Sequence, residues 1–312
     1  MKIAIIGPGA IGCLFGSLLA RAKNDVWLID KNPERARFIQ KNGITVEGVG
    51  GDYTVKVDIT TQPQDAGICD LIMVCVKSYD TEEAVKSNMV LVGSDTLVLT
   101  LQNGIGNLQS ISEIVGKSRT AGGVTSHGAT LLGYGRIRHA GRGETVVGRL
   151  DGKISGKLRG AQDAFNDAKI ETKATKDIDS LIWSKLIINV GINAVTAITR
   201  LNNGQLVEYD GSRDIMRLAI SEAAKIAKRK KIKLIYDDPI QKAESVCKAT
   251  ALNISSMLQD ILKNRRTEID YINGAIVRQG AALDMPTPAN KVLTDLIKTI
   301  ESSYDKQLTR KD

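Results

Sequence analysis

Residues 2–12 read KIAIIGPGAIG, and this stretch decides the fold. KIAII (2–6) is apolar throughout after Lys2, the pattern of a strand buried on both faces. Gly7-Pro8-Gly9-Ala10-Ile11-Gly12 follows as a G-x-G-x-x-G, and a helical pattern occupies 10–22. The glycine spacing alone is a weak signal. Its place between a strand and a helix makes it a dinucleotide-binding turn, reinforced by Asp30 at the end of the next strand-like run, DVWLID (25–30). Gly7 makes the tight turn, Gly9 lets backbone approach a pyrophosphate, and Gly12 packs helix on strand. The helix N-terminus adds N–H groups and partial positive charge. Asp30 stands where an acid accepts hydrogen bonds from an adenosine ribose. Its charge leans towards NADH rather than NADPH, with Lys31 and Arg35 near enough in sequence to offset it by pairing with a phosphate.

Working outward, 33–42 reads as a helix and 54–59 alternates as an additional strand. LIMVCVK (71–77) and TLVLTLQ (96–102) are buried strands, separated by a helix that begins near Thr81. Residues 121–129 and 136–148 contribute further strand-like, glycine-rich segments. Strands alternating with helices imply a doubly wound, mainly parallel sheet covered on both faces. The character then changes. Helical patterns occupy 161–168, 177–199, 211–231, 239–249, 251–263, 267–283 and 287–307, with one short strand candidate at 170–173. The expectation is an α/β dinucleotide-binding domain of the Rossmann type over 1–172 and an all-α substrate-binding and catalytic domain over 173–312.

The bulk numbers fit a soluble two-domain protein: 312 residues, 42% hydrophobic and 25% charged. Lys and Arg exceed Asp and Glu by 43 to 35, a net +8 that suits anionic ligands in general. The basic residues are dispersed among acidic ones, so no nucleic-acid partner is expected. The densest cluster, KRKKIK (228–233), reads as the solvated end of a helix. Cys13, Cys69, Cys75 and Cys247 show neither metal-site spacing nor a disulfide framework, which fits a reducing cytoplasm, and no metal is expected. Glycines and Pro8 interrupt the apolar N-terminus, and no uninterrupted 18-residue apolar segment occurs elsewhere, so no membrane association is expected.

Polar residues gather at two strand ends and on two helices. Lys77 follows LIMVCV and Asn103 follows VLTLQ, at the carboxyl ends where doubly wound sheets bind ligands. In WSKLIINVGINAVTAITRLNNG (183–204), Lys185, Asn189 and Asn193 recur every four residues and share one edge of an otherwise apolar helix. Asparagine is a mediocre helix former, and a merely solvated edge is better served by Glu, Lys or Gln. In SSMLQDILKNRRTEIDYINGAIV (255–277), Ser256 and Asp260 share a face and 264–266 interrupts the helix. Thr267 then caps a new one with Glu268 in its first turn, a position the helix dipole alone explains.

Taken together, GPGAIG (7–12), VKSYDT (76–81), LQNGIGN (101–107), TSHGAT (125–130), WSKLIINVGINAVTAIT (183–199), NNG (202–204) and the 255–277 block resemble the ketopantoate reductase family over nearly the whole chain. The resemblance implies a Rossmann domain followed by a helical domain like the C-terminal domain of 6-phosphogluconate dehydrogenase. It implies cofactor contacts at Gly7 to Gly12, Lys77, Asn103 and Ala129, and a proton donor at Lys185. It implies substrate contacts at Asn103, Lys185, Asn189, Asn193, Asn203 and Ser256, with Glu268 acting close to both ligands. Many members carry a base where this chain has Asp30, so the family habit leans to NADPH while Asp30 leans to NADH. The expected reaction is reduction of 2-dehydropantoate to (R)-pantoate, on the route to pantothenate and coenzyme A. Lys185, with an amine near its ordinary pKa of ~10.4, would be protonated at neutral pH without a large shift. Two other readings stand beside it: a reductase of another branched 2-keto or 3-hydroxy acid, and a non-catalytic dinucleotide sensor. Apolar helices in the second half are compatible with a homodimer.

Overall fold

In the computed structural model, which describes residues 1–307, the chain opens as β1 (Lys2–Ile6), α1 (Ala10–Arg21), β2 (Asp25–Ile29) and α2 (Pro33–Asn42). Asn32 starts α2 by accepting the N–H groups of Glu34 and Arg35, each at 2.9 Å, with Pro33 at the first helical position. There follow β3 (Ile44–Gly48), β4 (Tyr53–Val55), β5 (Asp58–Thr60), β6 (Cys69–Val74), α3 (Thr81–Ser87), β7 (Val92–Thr100) and α4 (Asn107–Val115). Then come β8 (Thr120–Thr125), β9 (Gly128–Gly133), β10 (Arg136–Gly141), β11 (Thr145–Arg149), α5 (Gly156–Asp167) and β12 (Thr172–Thr175).

Eight of these strands form one sheet in the order β12-β11-β8-β7-β6-β1-β2-β5. Its neighbours pair in parallel except β8 with β11. β1 lies between β2 and β6, so the winding reverses beside it, and the turn at Gly7 leaves from this switch point. Successive β1 side chains divide between two cores. Ile3 and Ile5 join Leu14, Phe15, Leu19 and Phe165, while Ala4 and Ile6 join Ile72, Val74, Val98 and Ile111. A strand period of two buried on both faces is why Ile3 to Ile6 carry no polar residue, with Lys2 at the half-buried strand start.

Two expectations need correction here. Residues 54–59 form two strands rather than one: β4 pairs with β3 in a separate four-stranded sheet, β4-β3-β10-β9, while β5 pairs with β2. The chain breaks at Lys56-Val57 because its two halves have different partners. The division at 172/173 also moves. β12 pairs with β11 through Thr172 to Thr175, and the sheet unit runs on to Ile178.

The second unit comprises Asn103–Gly106 and, among the described residues, 179–307. Its helices are α6 (Ile178–Thr199), α7 (Asp210–Arg229), α8 (Pro239–Ala249), α9 (Ser256–Ile261), α10 (Asn273–Ala281) and α11 (Pro288–Ser302). α6 is central: Leu186, Ile187, Val190, Ala194 and Val195 pack in one core with Met216 and Ile220 of α7 and Ile276 of α10. Among the described residues it is the one helix long and apolar enough to cross a membrane, and it is mostly buried in the protein. The expected helices 251–263 and 267–283 are shorter than read. Asn264 takes the left-handed φ of 49° soon after α9, and Ile269–Tyr271 form a 3-10 turn before α10. Thr267 Oγ1 accepts the Ile269 N–H at 3.1 Å, but it does not cap a helix as expected: the 3-10 turn has Glu268 at its N-cap position, so Glu268 does not lie in the first turn of a helix.

Two features generate tests. A Cβ on Gly191 of α6 would lie 2.6 Å from Ile220 Cδ1 and 2.9 Å from Met216 Cγ, so glycine is what lets α7 pack this closely. Gly191→Ala is expected to cost about 1–3 kcal/mol by overpacking, read as a lower thermal midpoint. In the sheet unit, His127 Nδ1 and His139 Nε2 lie 3.0 Å apart, both rings buried, with Phe15 edge-on to His127. Burial, then His139 and Arg142, pushes the His127 pKa down to about 4. An unfolded imidazole protonates near ~6.5, so the unfolded chain binds more protons in between. Stability is therefore complete above about pH 6.5 and declines by roughly 3 kcal/mol as pH falls towards 4. Thermal melts of a His127→Gln, His139→Gln double variant should show a shallower acid decline; an identical decline would assign the loss to carboxylates instead.

Candidate active site

The glycine turn has the shape that a dinucleotide needs. Gly7 holds φ +86°, and a Cβ there would meet Val76 N at 2.9 Å. A Cβ on Gly12 would come within 2.6 Å of Gly7 O and 3.3 Å of Cys75 and Ile5, so helix and strand could not close. Around Gly9, by contrast, nothing lies within 4 Å of the added Cβ, which leaves room for a pyrophosphate against bare backbone. No side chain caps α1 at Gly9, so its first-turn N–H groups suit an anion. These residues fit a dinucleotide.

Behind this turn a buried polar brace joins the ends of β6 and β7. Gln102 Nε2 donates to Val76 O at 2.7 Å and to Thr81 Oγ1 at 2.8 Å. Thr81 donates to Asn107 Oδ1 at 3.0 Å, and Asn107 Nδ2 to Ser78 Oγ at 3.1 Å. The brace holds the part-buried Lys77 between Val76 and Ser78, and it accounts for polar residues within VKSYDT and LQNGIGN that the motif reading left unassigned. Ala129 sits in β9 opposite His139 of β10, part-buried. Asp30 differs from the expectation of an open acid. It is 2% exposed, its Oδ1 accepts from Arg35 Nη2 at 2.6 Å and the Asn32 N–H at 3.0 Å, and Arg35 Nε takes Oδ2. Lys31 lies 3.3 Å from Asp80 with its side chain largely exposed.

In the helical unit, α6 carries Lys185, Asn189 and Asn193 on one edge, the first two part-buried and Asn193 buried. Neighbouring elements bolt that edge in place through α6 carbonyls. The Tyr236 hydroxyl donates to Ser184 O at 2.6 Å and Asn273 Nδ2 to Val190 O at 3.0 Å. Burial pushes the Lys185 amine down to about 8, against the opposing pull of the Glu268 carboxylate. The expectation of an unshifted lysine is thereby corrected: an apolar helix desolvates its charge. Glu268 is buried beside Thr267, whose N–H donates to Glu301 at 2.6 Å.

Asn103 belongs to this unit. Gly104 holds φ +84°, a Cβ there would lie 2.4 Å from Tyr271 O, and the Ile105 N–H donates to that carbonyl at 3.0 Å. Asn203 is buried just beyond α6, with backbone bonds from Asn203 N to Asn253 O at 3.0 Å and from Gly204 N to Ala251 O at 3.1 Å. These bonds tie it to the segment that leads into α9, where Ser256 is exposed as the first helical residue. Ser255 caps α9 and also accepts a 2.7 Å hydrogen bond from Thr196 of α6. Lys185 and Glu268 are thus electrostatically coupled, and Asn103, Asn189, Asn193, Asn203 and Ser256 share their unit. Gly7 to Gly12, Asp30, Lys77 and Ala129 lie in the sheet unit. Among the described residues no group of three or more His, Cys, Asp or Glu is arranged to hold a metal ion.

Comparison with known proteins matches the chain in two stretches. Residues 3–152 match the family model "Ketopantoate reductase PanE/ApbA", and 177–301 match its C-terminal counterpart. The 2-dehydropantoate 2-reductase of Pyrococcus abyssi is 37% identical over 308 residues, spanning 98% of this chain and all of its own. A crystal structure of a PanE/ApbA family ketopantoate reductase from Ralstonia eutropha JMP134 is 34% identical with a TM-score of 0.90, covering 98% of this chain and 100% of that one. A ternary structure of D-mandelate dehydrogenase with NADH and anilino(oxo)acetate is 32% identical with a TM-score of 0.91, again covering 98% and 100%. With both halves of the chain matched, and in the order that the glycine turn and the lysine-bearing helix demand, this protein belongs to the ketopantoate reductase family.

Proposed function

We propose that this protein reduces 2-dehydropantoate to (R)-pantoate, a step on the way to pantothenate and coenzyme A. The observation that carries the reading is Lys185: an amine held near pKa 8 in an apolar helix, with the buried Glu268 carboxylate acting on it. Bound NAD(P)H supplies the hydride that adds to the keto carbon. As it adds, negative charge develops on the keto oxygen, and the Lys185 ammonium is the group to neutralise it and give up a proton. A pKa near the working pH serves that transfer better than an unperturbed amine. Glu268 favours the charged lysine before the proton leaves. Asn103, Asn189, Asn193 and Asn203 offer donors and acceptors to the substrate's carboxylate and hydroxyl without the repulsion that an acid would bring. Ser256, exposed at the start of α9, adds a hydroxyl. In the sheet unit, Gly7 to Gly12 with the α1 N-terminus hold the pyrophosphate, and Lys77 and Ala129 flank the dinucleotide.

A second reading has a specific observation behind it, the likeness to D-mandelate dehydrogenase, whose structure holds NADH and the aromatic anilino(oxo)acetate. Steady-state reduction of 2-dehydropantoate against phenylglyoxylate separates the two: a preference for the aromatic acid would overturn the first. The coenzyme reading follows from Asp30. With both carboxylate oxygens engaged by Arg35, the strand end presents a neutral pair rather than a bare anion. The repulsion that favoured NADH is thereby offset, so both coenzymes serve.

Lys185→Ala is expected to lower kcat/KM about 10²–10⁴-fold; full turnover in the variant would remove the lysine from the mechanism. Because the protonated amine is the active form, kcat/KM should hold below about pH 8 and fall as pH rises through it. Uncovering the acid gives the coenzyme test. Arg35→Ala should shift the NADH-to-NADPH ratio of kcat/KM towards NADH by about tenfold or more, as a bare carboxylate repels a 2′-phosphate; an unmoved ratio would show that Asp30 and Arg35 do not select.

A further inference from the structure

We propose that Thr250, at the end of α8, is a specificity-setting positioning residue: by taking an N–H of the Asn203 amide it fixes which way that amide is turned and presents Oδ1 to the substrate as an acceptor, and so selects 2-keto acids that carry a hydroxyl. The inference rests on the reductase reading above and refines its substrate class. Asn203 is 9% exposed, and its Oδ1 is fully buried with no hydrogen-bond partner. A buried carbonyl oxygen without a donor is uncommon in folded proteins and calls for an explanation. Here the other end of the same amide is fixed. Asn203 Nδ2 donates to Thr250 Oγ1 at 2.9 Å.

The orientation of that amide follows from Thr250 itself. The Thr250 hydroxyl spends its one proton on Val246 O at 2.7 Å, which leaves its oxygen only able to accept. Turned over, the Asn203 amide would set its oxygen against another oxygen with no proton between them. The NH2 end must therefore face Thr250, and the oxygen must face away. The surrounding backbone holds this geometry: Asn203 N bonds Asn253 O at 3.0 Å and Gly204 N bonds Ala251 O at 3.1 Å. A Cβ on Gly204 would lie 2.6 Å from Ala251 Cβ, so the two segments meet this closely only with glycine there.

An acceptor held in this way wants a donor. A 2-keto carboxylate has none, whereas the terminal alcohol of 2-dehydropantoate has one. Sites built to pair a substrate hydroxyl reject analogues that lack it far more strongly than apolar pockets reject a missing methylene. The natural probe pair is 2-dehydropantoate and 3,3-dimethyl-2-oxobutanoate, which has the same skeleton with a methyl in place of the CH2OH.

The experiment is kcat/KM on both acids for the wild type, Thr250→Val and Thr250→Ser, with a thermal melt of each. The wild type should prefer the hydroxylated acid by about 100-fold or more. Thr250→Val should narrow that preference to about tenfold, through a higher KM for 2-dehydropantoate more than a lower kcat, and should lose far less on the methyl analogue. Thr250→Ser, which keeps the hydroxyl, should restore the preference. Equal losses on both acids in Thr250→Val would reveal a merely structural role and overturn the proposal. A wild type that treats the two acids alike would overturn it without any variant, while leaving the reductase reading intact. Conversely, a wild type inactive on 2-dehydropantoate that still shows a Thr250-dependent preference for another hydroxylated 2-keto acid would sink the substrate assignment and uphold the hydroxyl rule.

Discussion

The desolvation of one ammonium group governs the helical unit. Lys185 sits on a helix whose other faces are core, and removing its charge from water brings the amine down to about 8. A shift of this size corresponds to a few kcal/mol between the two protonation states. That cost is tolerable only if a counter-charge is kept close and the helix is not free to roll the lysine out into solvent. Glu268 supplies the charge. The bonds from Tyr236 and Asn273 to α6 carbonyls, and the close seat of α7 against Gly191, supply the restraint. Buried polar groups such as Asn273 and Asn290 otherwise look extravagant in an apolar core. Asn290 receives from Asn273 at 3.0 Å and donates to Ala219 O at 3.0 Å, so the same pair links α7, α10 and α11 around α6.

The sheet unit solves a different problem, that of bringing anionic phosphates against backbone. Beside Lys77, proposed above to reach the dinucleotide, it offers open room at Gly9, a helix end with no side-chain cap, and a polar brace between the neighbouring strand ends. The excess of basic residues over the whole chain is a diffuse background to this local arrangement.

Much of this was legible because the decisive signals are local. KIAIIGPGAIG encodes strand, turn and helix within eleven consecutive residues, and the four-residue recurrence of Lys185, Asn189 and Asn193 is a property of one helix. What escaped depends on partners distant in the chain or on solvent exposure. Residues 54–59 alternate as a strand should, but nothing in them reveals that β4 and β5 belong to different sheets. Asp30 and Arg35 are near neighbours, yet only packing turns the guanidinium onto the carboxylate. The Lys185 shift is a product of burial, which composition does not report. Thr250 meets Asn203 across 47 positions, and its neighbours in the chain carry no mark of that pairing.

The loop Asn103–Gly106 lies between β7 and α4 in the chain but is counted, by its packing, with the helices: Ile105 rests on their apolar core and its N–H on Tyr271. The helical half is accordingly not a self-sufficient cassette. A gene cut at residue 178 would separate it from four residues that complete its interior, among them the asparagine expected to touch both ligands. The sheet half cannot therefore be exchanged without taking part of the helical half with it, because four residues of the latter are written inside the former's stretch of sequence.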